Sequence, residues 1–397
     1  MAVKDQNFSA EIAVVGGGPA GLMTALGVAS TGADTLLVAP TPPAIDRRTT
    51  ALLEGSTQVL KLLGAWPSLV GDAAPLKFLR LVDATNRLLR APEVLFDSAE
   101  LGLEAFGHNV ENETLRQVLL ALCSKTPGLR VVNVPVTVVA PDENGVTLTL
   151  GDKQERVRLV AAADGRKSIC RDAAGIRTQF NQLPQSAIVL NLKHSSPHND
   201  TSTEFHTESG PFTFAPLKGD RSSLVCVVRP HEAEAIGNLS DDALAMEIER
   251  RAHSILGKME VESDRGIFPL STALADRFAA RRVALIGEAA HVLPPIGAQG
   301  LNLGIRDAAV LAELVADARD SSRDPGGTEL LHDYDDRRRA DVRIRTLVVD
   351  FANRSLMSDF LPLHAARGLG LHLASRVGFF RRVLMRHGLG HTTVTAR

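Results

Sequence analysis

The 397-residue chain is 44% hydrophobic and 23% charged, an ordinary globular mixture that excludes bulk disorder. Its 44 Lys+Arg against 46 Asp+Glu leave a net charge of -2, so the basic excess of a general nucleic-acid binder is missing. Cys123, Cys170 and Cys226 share no metal-ligand or disulfide spacing, which points to a reducing cytosol, and no apolar run approaches the roughly 18 residues of a membrane span.

At about 150 residues per domain, the length allows two or three lobes. Lys4, Asp5 and Glu11 leave no apolar core for a signal peptide. Glu11–Val15 reads as a buried strand, and Gly16–Gly21 as a turn into an Ala/Leu-rich helix that stops near Ser30. Asp34–Val38 is the next strand, and helices follow at Thr57–Leu63 and Glu113–Ser124. Near-continuous apolar strands of this kind belong to a parallel sheet covered on both faces. Arg130–Val139, Gly145–Leu150 and Arg156–Ala162 read as three further strands.

The middle third changes character. Ala187–Lys193, Thr203–His206, Phe212–Leu217 and Ser222–Val228 read as antiparallel strands, with a hairpin turn at Lys218-Gly219-Asp220. Ser240 caps a helix whose apolar stripe is Leu244, Ile248, Ala252 and Ile255. The parallel pattern resumes with Val283–Ile286 and a helix over Gly304–Ala318. The last part is helical and basic, with no acid after Asp359. The outcome is an α/β chain: a nucleotide-binding Rossmann-like domain in three parts (1–75, 109–180 and 276–325), substrate-domain strands at 76–108, an inserted antiparallel sheet at 181–275, and a helical C-terminal region at 326–397.

Three loops carry chemistry. Gly16, Gly18 and Gly21 form G-x-G-x-x-G between a strand and a helix, the pattern that lets backbone approach a pyrophosphate at a helix N-terminus. The acid that holds ribose about 20 residues on is replaced by Ala39, and the next acid is Asp46. Asp164-Gly165 follows a second strand. Gly287-Glu288-Ala289-Ala290-His291, Pro294-Pro295 and Gly297–Asn302 follow a third and open a helix that can receive an anionic ring or phosphate.

Together these residues resemble the group A flavoprotein aromatic hydroxylases, and most of all the UbiH/UbiF/VisC-type polyprenyl-phenol hydroxylases of ubiquinone biosynthesis, which share the para-hydroxybenzoate-hydroxylase-like fold. The resemblance covers essentially the whole chain. It rests on the glycine loop, Arg48-Thr-Thr-Ala-Leu52, Asp164-Gly165, the Gly287–Asn302 stretch, Thr57–Trp66, and the C-terminal His364, Arg367, Gly368 and Gly370. It implies FAD as cofactor. Gly16, Gly18, Pro19, Ala20 and Gly21 would hold the pyrophosphate, Arg48 the flavin side, and Asn112 the pyrophosphate or ribose. Asp164 and Gly165 would serve FAD and NAD(P)H. Gly287 and Glu288 would meet the ribityl–phosphate region, and Pro295, Gly297, Ala298, Gln299, Gly300, Leu301 and Asn302 would lie against the ring. The sequence departs from the family at Ala39, Glu288 and Ala298.

The resemblance further implies an FAD-dependent monooxygenase. NAD(P)H reduces the flavin, O2 adds, and a C4a-hydroperoxide hydroxylates a polyprenylated phenol while the protein supplies position and dryness. No metal is called for. His291 in the flavin segment, and His194 and His206 in the sheet insert, stand as candidates, and no catalytic base is assigned. Partners within a quinone-biosynthesis complex, a cytoplasmic location and peripheral membrane contact through the basic C-terminal stretch are further expectations. Two alternatives stay open: another flavin enzyme of this fold, such as a polyprenyl reductase or small-aromatic hydroxylase, and a noncatalytic FAD-fold scaffold.

Overall fold

The computed structural model describes residues 8–357 apart from 43, 86–89, 91 and 263, and adds 381, 382 and 385. A six-stranded sheet runs in the order Ala279–Ala280, Val283–Leu285, Leu159–Ala162, Ile12–Val15, Thr35–Val38, Leu129–Val132. All neighbours are parallel except the first pair. Every residue of Ile12–Val15, Thr35–Val38 and Leu159–Ala162 is buried, as expected for strands covered on both faces. The helix Pro19–Ser30 has proline in its first turn and ends at Thr31-Gly32, where Gly32 takes a positive φ of 82°. It packs against helices Asn112–Cys123 and Gln299–Asp320. The second contact is close: a Cβ on Gly27 would sit 3.2 Å from Ala312 Cβ.

Two expected strands each prove to be two. The stretch 130–139 divides into Leu129–Val132, in the parallel sheet, and Val136–Pro141, in a separate antiparallel three-stranded sheet with Val146–Leu150 and Lys153–Val157. The break falls at Asn133–Pro135: Pro135 has no N–H for a ladder, and Asn133 Oδ1 accepts the Thr41 N–H at 2.7 Å instead. The stretch 156–162 divides at Arg158, whose N–H goes to Glu11 O as the chain passes from the hairpin into the parallel sheet. The helix expected from Gly304 begins five residues earlier, at Gln299, and runs to Asp320.

The second body is a nine-stranded sheet in the order His291–Val292, Gly266–Ala275, Thr178–His194, Arg221–Val228, Pro211–Leu217, Thr201–His206, Phe78–Asp83, Val94–Asp97, with Met259–Val261 beside Thr178–His194. It is antiparallel except where Thr201–His206 runs parallel to Phe78–Asp83. One face is closed: Ile188, Leu190, Phe205, Phe212, Phe214, Leu224 and Cys226 pack under helices Pro230–Gly237 and Asp241–Arg251 through Ala233, Ile236, Leu244 and Ile248. The second helix starts as expected, with Ser240 Oγ accepting the Ala243 N–H. Strand alternation sends Val189, Asn191, Val225, Thr213, Glu204 and His206 to the other face. That face looks toward the parallel-sheet domain. Asn191 Nδ2 reaches Arg47 O at 3.5 Å, Asn109 Nδ2 donates to Pro216 O at 2.9 Å, and Arg221 pairs with Glu111 at 3.0 Å.

Helices Gln299–Asp320 and Thr328–Met357 are clamped by a buried polar cluster. Asp307 accepts from the Gly287 N–H (2.8 Å), from His291 Nε2 (2.8 Å) and from Arg338 Nε (2.6 Å), while Tyr334 donates to Leu285 O at 2.7 Å. Burial alone would raise the Asp307 pKa. The Arg338 charge and then His291 outweigh it and hold the carboxyl below its ordinary value. A depressed carboxyl contributes stability at neutral pH that is lost as pH falls from the ordinary range, about 4, through the depressed value. Asp307→Asn should cost about 3 kcal/mol at neutral pH by removing the fully buried one of the two carboxylates that pair with Arg338, leaving Asp341, and the gap to wild type should narrow in acid. Urea denaturation at the two pH values checks both.

Candidate active site

Val283–Leu285, Leu159–Ala162, Ile12–Val15 and Thr35–Val38 are adjacent and parallel, so the segments after them emerge along one edge. Those segments are Gly287-Glu288, Asp164-Gly165, Gly16–Gly21 and Ala39. They touch. A Cβ on Gly16, which has φ +131°, would lie 2.1 Å from Ala163 O, and one on Gly21 would lie 2.1 Å from Gly16 O. A Cβ on Gly304 would lie 3.2 Å from both Ala20 Cβ and Gly287 Cα. Arg166 Nη2 pairs with Glu288 Oε1 at 2.9 Å, a half-exposed contact of small energetic weight. The three loops singled out in the sequence therefore form one continuous rim.

Gly18 differs from its neighbours. Its φ of -77° suits any residue, and a Cβ there would meet nothing within 4 Å. Pro19 and Ala20 open the helix whose first-turn N–H groups face this space. Asp164 Oδ2 accepts the Cys170 N–H at 3.2 Å, while its Oδ1 is buried without a hydrogen-bond partner. A vacant space over helix N–H groups, beside a buried acceptor that lacks a donor, fits a diphosphate with adjoining hydroxyls. The residues present fit FAD.

Beyond the rim, Arg48 is held by Asp46 through Nε and Nη2, both at 2.7 Å. Its guanidinium stacks over Phe268 of the large sheet at 5.2 Å. Asn112 donates to Asp46 Oδ2 at 2.9 Å and accepts from Thr50 Oγ1 at 2.6 Å. Burial alone would raise the Asp46 pKa, but hydrogen bonds from Arg48 and Asn112 hold it down. The Arg48 pKa is raised, first by the Asp46 hydrogen bond. Arg48 and Asn112 thus meet in one network whose centre, Asp46, had no assigned role in the sequence.

In the Gly287–Asn302 stretch, Glu288, Pro295, Gly297 and Gly300 are exposed, and Ala298 and Leu301 half-buried. Gly297 and Ala298 both take the left-handed conformation, φ +63° and +54°. Gln299 Nε2 donates to Gly297 O at 3.0 Å. Asn302 turns inward: its amide donates to Ala51 O (2.8 Å) and Ala298 O (2.6 Å) and accepts from Leu53 N (2.9 Å) and Ser56 Oγ (2.6 Å). Its side chain is spent on fastening the Thr49–Leu53 strand to the helix start, so only its backbone is left for a ring.

The histidines separate by geometry. His291 is buried on Asp307, a structural partner. His194 lies on the closed face of the large sheet, bonded to Ser196 O and Ser222 Oγ, and so is excluded from the substrate face expected for it. His206 lies on the open face. There Val189, Val225, Thr213, Glu204 and His206 stay half-buried while their alternates on the closed face are buried. These residues form a half-buried strip that faces the second domain.

Gly18→Ala should melt with wild type yet weaken FAD binding at least tenfold, because the new methyl fills only the diphosphate space. Gly16→Ala should lower the melting temperature as well, because its Cβ collides with Ala163 O. Thermal melts with and without FAD, and titration of flavin fluorescence, check the contrast.

Comparison with known proteins agrees with this geometry. The FAD binding domain family model matches residues 9–351. The chain is 33% identical over 389 residues to ubiquinone hydroxylase UbiL of Rhodospirillum rubrum, covering 96% of this chain and 90% of that protein. It is 31% identical over 394 residues to 3-demethoxyubiquinol 3-hydroxylase of Escherichia coli, covering 97% and 99%. Among solved structures, p-nitrophenol 4-monooxygenase PnpA of Pseudomonas putida shares the fold with a TM-score of 0.78 at 19% identity, covering 96% of this chain and 98% of that one. The chain belongs to the FAD binding domain family and is an FAD-dependent hydroxylating oxidoreductase.

Proposed function

We propose that this enzyme hydroxylates the ring of a polyprenylated phenol on the path to ubiquinone, with NAD(P)H as reductant and O2 as oxygen source. One observation carries the reading. The glycine-rich rim and an open sheet face of mixed apolar and polar character belong to a chain that matches ubiquinone hydroxylases along its whole length. Bound FAD would supply the redox and oxygen chemistry.

The residues have separable tasks. Gly16 and Gly21 shape the turn in which Gly18 would bring backbone to the diphosphate, with Pro19 and Ala20 starting the helix behind it. Asp164, Gly165, Gly287 and Glu288 would hold the sugar-like middle of the cofactor. Arg48, positioned by Asp46 and Asn112, offers a fixed positive charge beside Phe268. Pro295, Gly297, Ala298, Gln299, Gly300 and Leu301 would form the edge that holds the flat ring. Ala187, Val227 and Leu270, with Val189 and Val225 beside them, form an apolar cluster that excludes water from the reacting centre.

Among the described residues, no helix is long and apolar enough to cross a membrane. The expected basic contact with a membrane rests mainly on residues 361–397. Arg367, Arg376, Arg386 and Arg397, with His364, Gly368 and Gly370, lie outside the described residues. Arg381 is described, and it is engaged: it pairs with Glu100 at 2.5 Å, bonds Leu95 O and stacks on Phe96. That arginine is a clamp on the large sheet and is not free for lipid.

FAD-loaded protein given a short-chain prenylphenol, O2 and NADH or NADPH should yield a product heavier by one oxygen atom, read by mass spectrometry. NAD(P)H consumption with saturation of the prenyl chain would favour the reductase alternative. Protein that takes up no FAD would favour the scaffold. Glu288→Asp should retain activity and bind FAD within about tenfold of wild type, since one methylene changes reach but not charge.

A further inference from the structure

The open face of the large sheet carries an ordered row of side chains. Register places Val189 beside Val225, Val225 beside Thr213, Thr213 beside Glu204, Glu204 beside Leu81, and Leu81 beside Val94. The row is apolar at both ends and polar at its centre. At its far end Leu79, Leu81, Val94, Phe96, Phe106 and Met385 form a separate apolar cluster. At its near end Val189 and Val225 join Ala187, Val227 and Leu270. With strands about 4.8 Å apart, Glu204 lies about 10 Å from Val225 and about 5 Å from the far cluster.

His206 follows Glu204 on the same face, and its Nε2 meets Glu204 Oε1 at 2.9 Å. Thr213 Oγ1 reaches Glu204 Oε2 at 3.4 Å. The side chains of His206 and Glu204 are 13% and 18% exposed. Asp83, opposite His206 on the neighbouring strand, accepts the Thr85 N–H and hydroxyl at its Oδ1, at 3.2 and 2.7 Å. A carboxylate on Nε2 fixes the proton there and leaves Nδ1 as an acceptor. Nδ1 has no hydrogen-bond partner among the described residues.

We propose that His206 is the proton acceptor for the substrate's phenolic hydroxyl, with Glu204 as its positioning residue. This rests on the phenol hydroxylase reading above. The occupant that matches the row is an amphiphile with one hydroxyl between two apolar parts: ring over Thr213 with its far edge toward Val225, prenyl chain toward Leu81 and Phe96, hydroxyl at His206. The O–H bond breaks, the Nδ1–H bond forms, and Glu204 stabilises the imidazolium. The phenolate left behind is the more electron-rich ring for attack on an electrophilic oxygen. Nothing is oxidised in this step. A His–Glu pair in a largely buried, apolar-flanked row costs stability that apolar residues would not.

The test uses the FAD-loaded full chain and the probe 2-prenyl-4-nitrophenol, buffered below the probe's own pKa. Wild type should bind it as the yellow phenolate, seen in difference spectra against protein alone. His206→Asn should bind it as the neutral phenol. Glu204→Gln, which is isosteric, should weaken the phenolate band if His206→Asn does not fold. Both variants should keep the flavin spectrum. In turnover, His206→Asn should lower kcat about a hundredfold with little change in KM. Ring-fluorinated, more acidic phenols should recover much of that loss. A phenolate band unchanged in both variants, or a loss uniform across the fluorinated series, would overturn the proposal, as would wild type binding the probe as neutral phenol. Wild type that binds phenolate but hydroxylates no phenol would instead sink the hydroxylase reading and leave the proton acceptor standing.

Discussion

The architecture turns on a place where backbone packs on backbone with no room for a side chain. At the end of Ile12–Val15, a single added carbon on Gly16 or Gly21 would fall 2.1 Å from a carbonyl oxygen. That closeness brings the turn over the end of Leu159–Ala162 and sets the helix Pro19–Ser30 against the sheet. The helix in turn meets Gly287 and Gly304 through Ala20. Three segments separated by well over a hundred residues become one rim because glycine occupies each meeting point. Gly18, in the same loop, has space around it. Steric demand thus falls on Gly16 and Gly21 and not on Gly18.

This explains which features were legible in sequence. A backbone constraint is written locally: Gly16–Gly21, Asp164-Gly165 and Gly287–Asn302 each announce a turn after a strand, and all three lie on the rim. Side-chain clamps are written nonlocally. Asp307 answers to His291 and Arg338, 16 and 31 residues away, and no spacing rule connects them. Asp46 could have been suspected as the partner of Arg48 two residues on, yet its bond to Asn112 needed the fold. Strand ends were misjudged where an apolar run continued through a change of sheet, as at Asn133–Pro135 and Arg158. Apolar content reports burial and is silent about which sheet does the burying. His194 and His206 read alike in the sequence, and only register, which sends them to opposite faces, tells them apart.

The three departures from the family pattern now have a physical setting. Ala39 is buried beside Gly17, where a Cβ would approach Ala39 Cβ to 3.0 Å, so this corner is closed and a longer acid would have to project past it. Glu288 keeps a carboxylate at the rim but shares it with Arg166, which couples the second loop to the third. Ala298 takes a left-handed conformation that costs a non-glycine residue about 1 kcal/mol, and Asn302 holds its carbonyl. Glycine there would relieve that strain in the folded chain while adding freedom to the unfolded one, so the two effects largely cancel. The position is tolerated because Asn302 anchors it from within.

The large sheet divides labour by parity. Its closed face is an ordinary core, with phenylalanines and aliphatic residues under two helices. Its other face is covered in part: Ala187, Ser223 and Val227 are buried, while Val189, Val225, Thr213, Glu204 and His206 stay half-buried. The two faces alternate residue by residue along the same strands, so substitutions at odd and even positions of Arg221–Val228 act on different properties. Leu224 and Cys226 belong to the closed core, Ser223 and Val225 to the opposite face. The parallel-sheet domain supplies the glycine-rich rim, and the open face supplies a mixed apolar and polar surface turned toward it. Arg48, stacked on Phe268 while held by Asp46, joins Asn191, Asn109 and Arg221 in bridging the two bodies, so its charge is fixed by one of the contacts that seat the sheet against the rim.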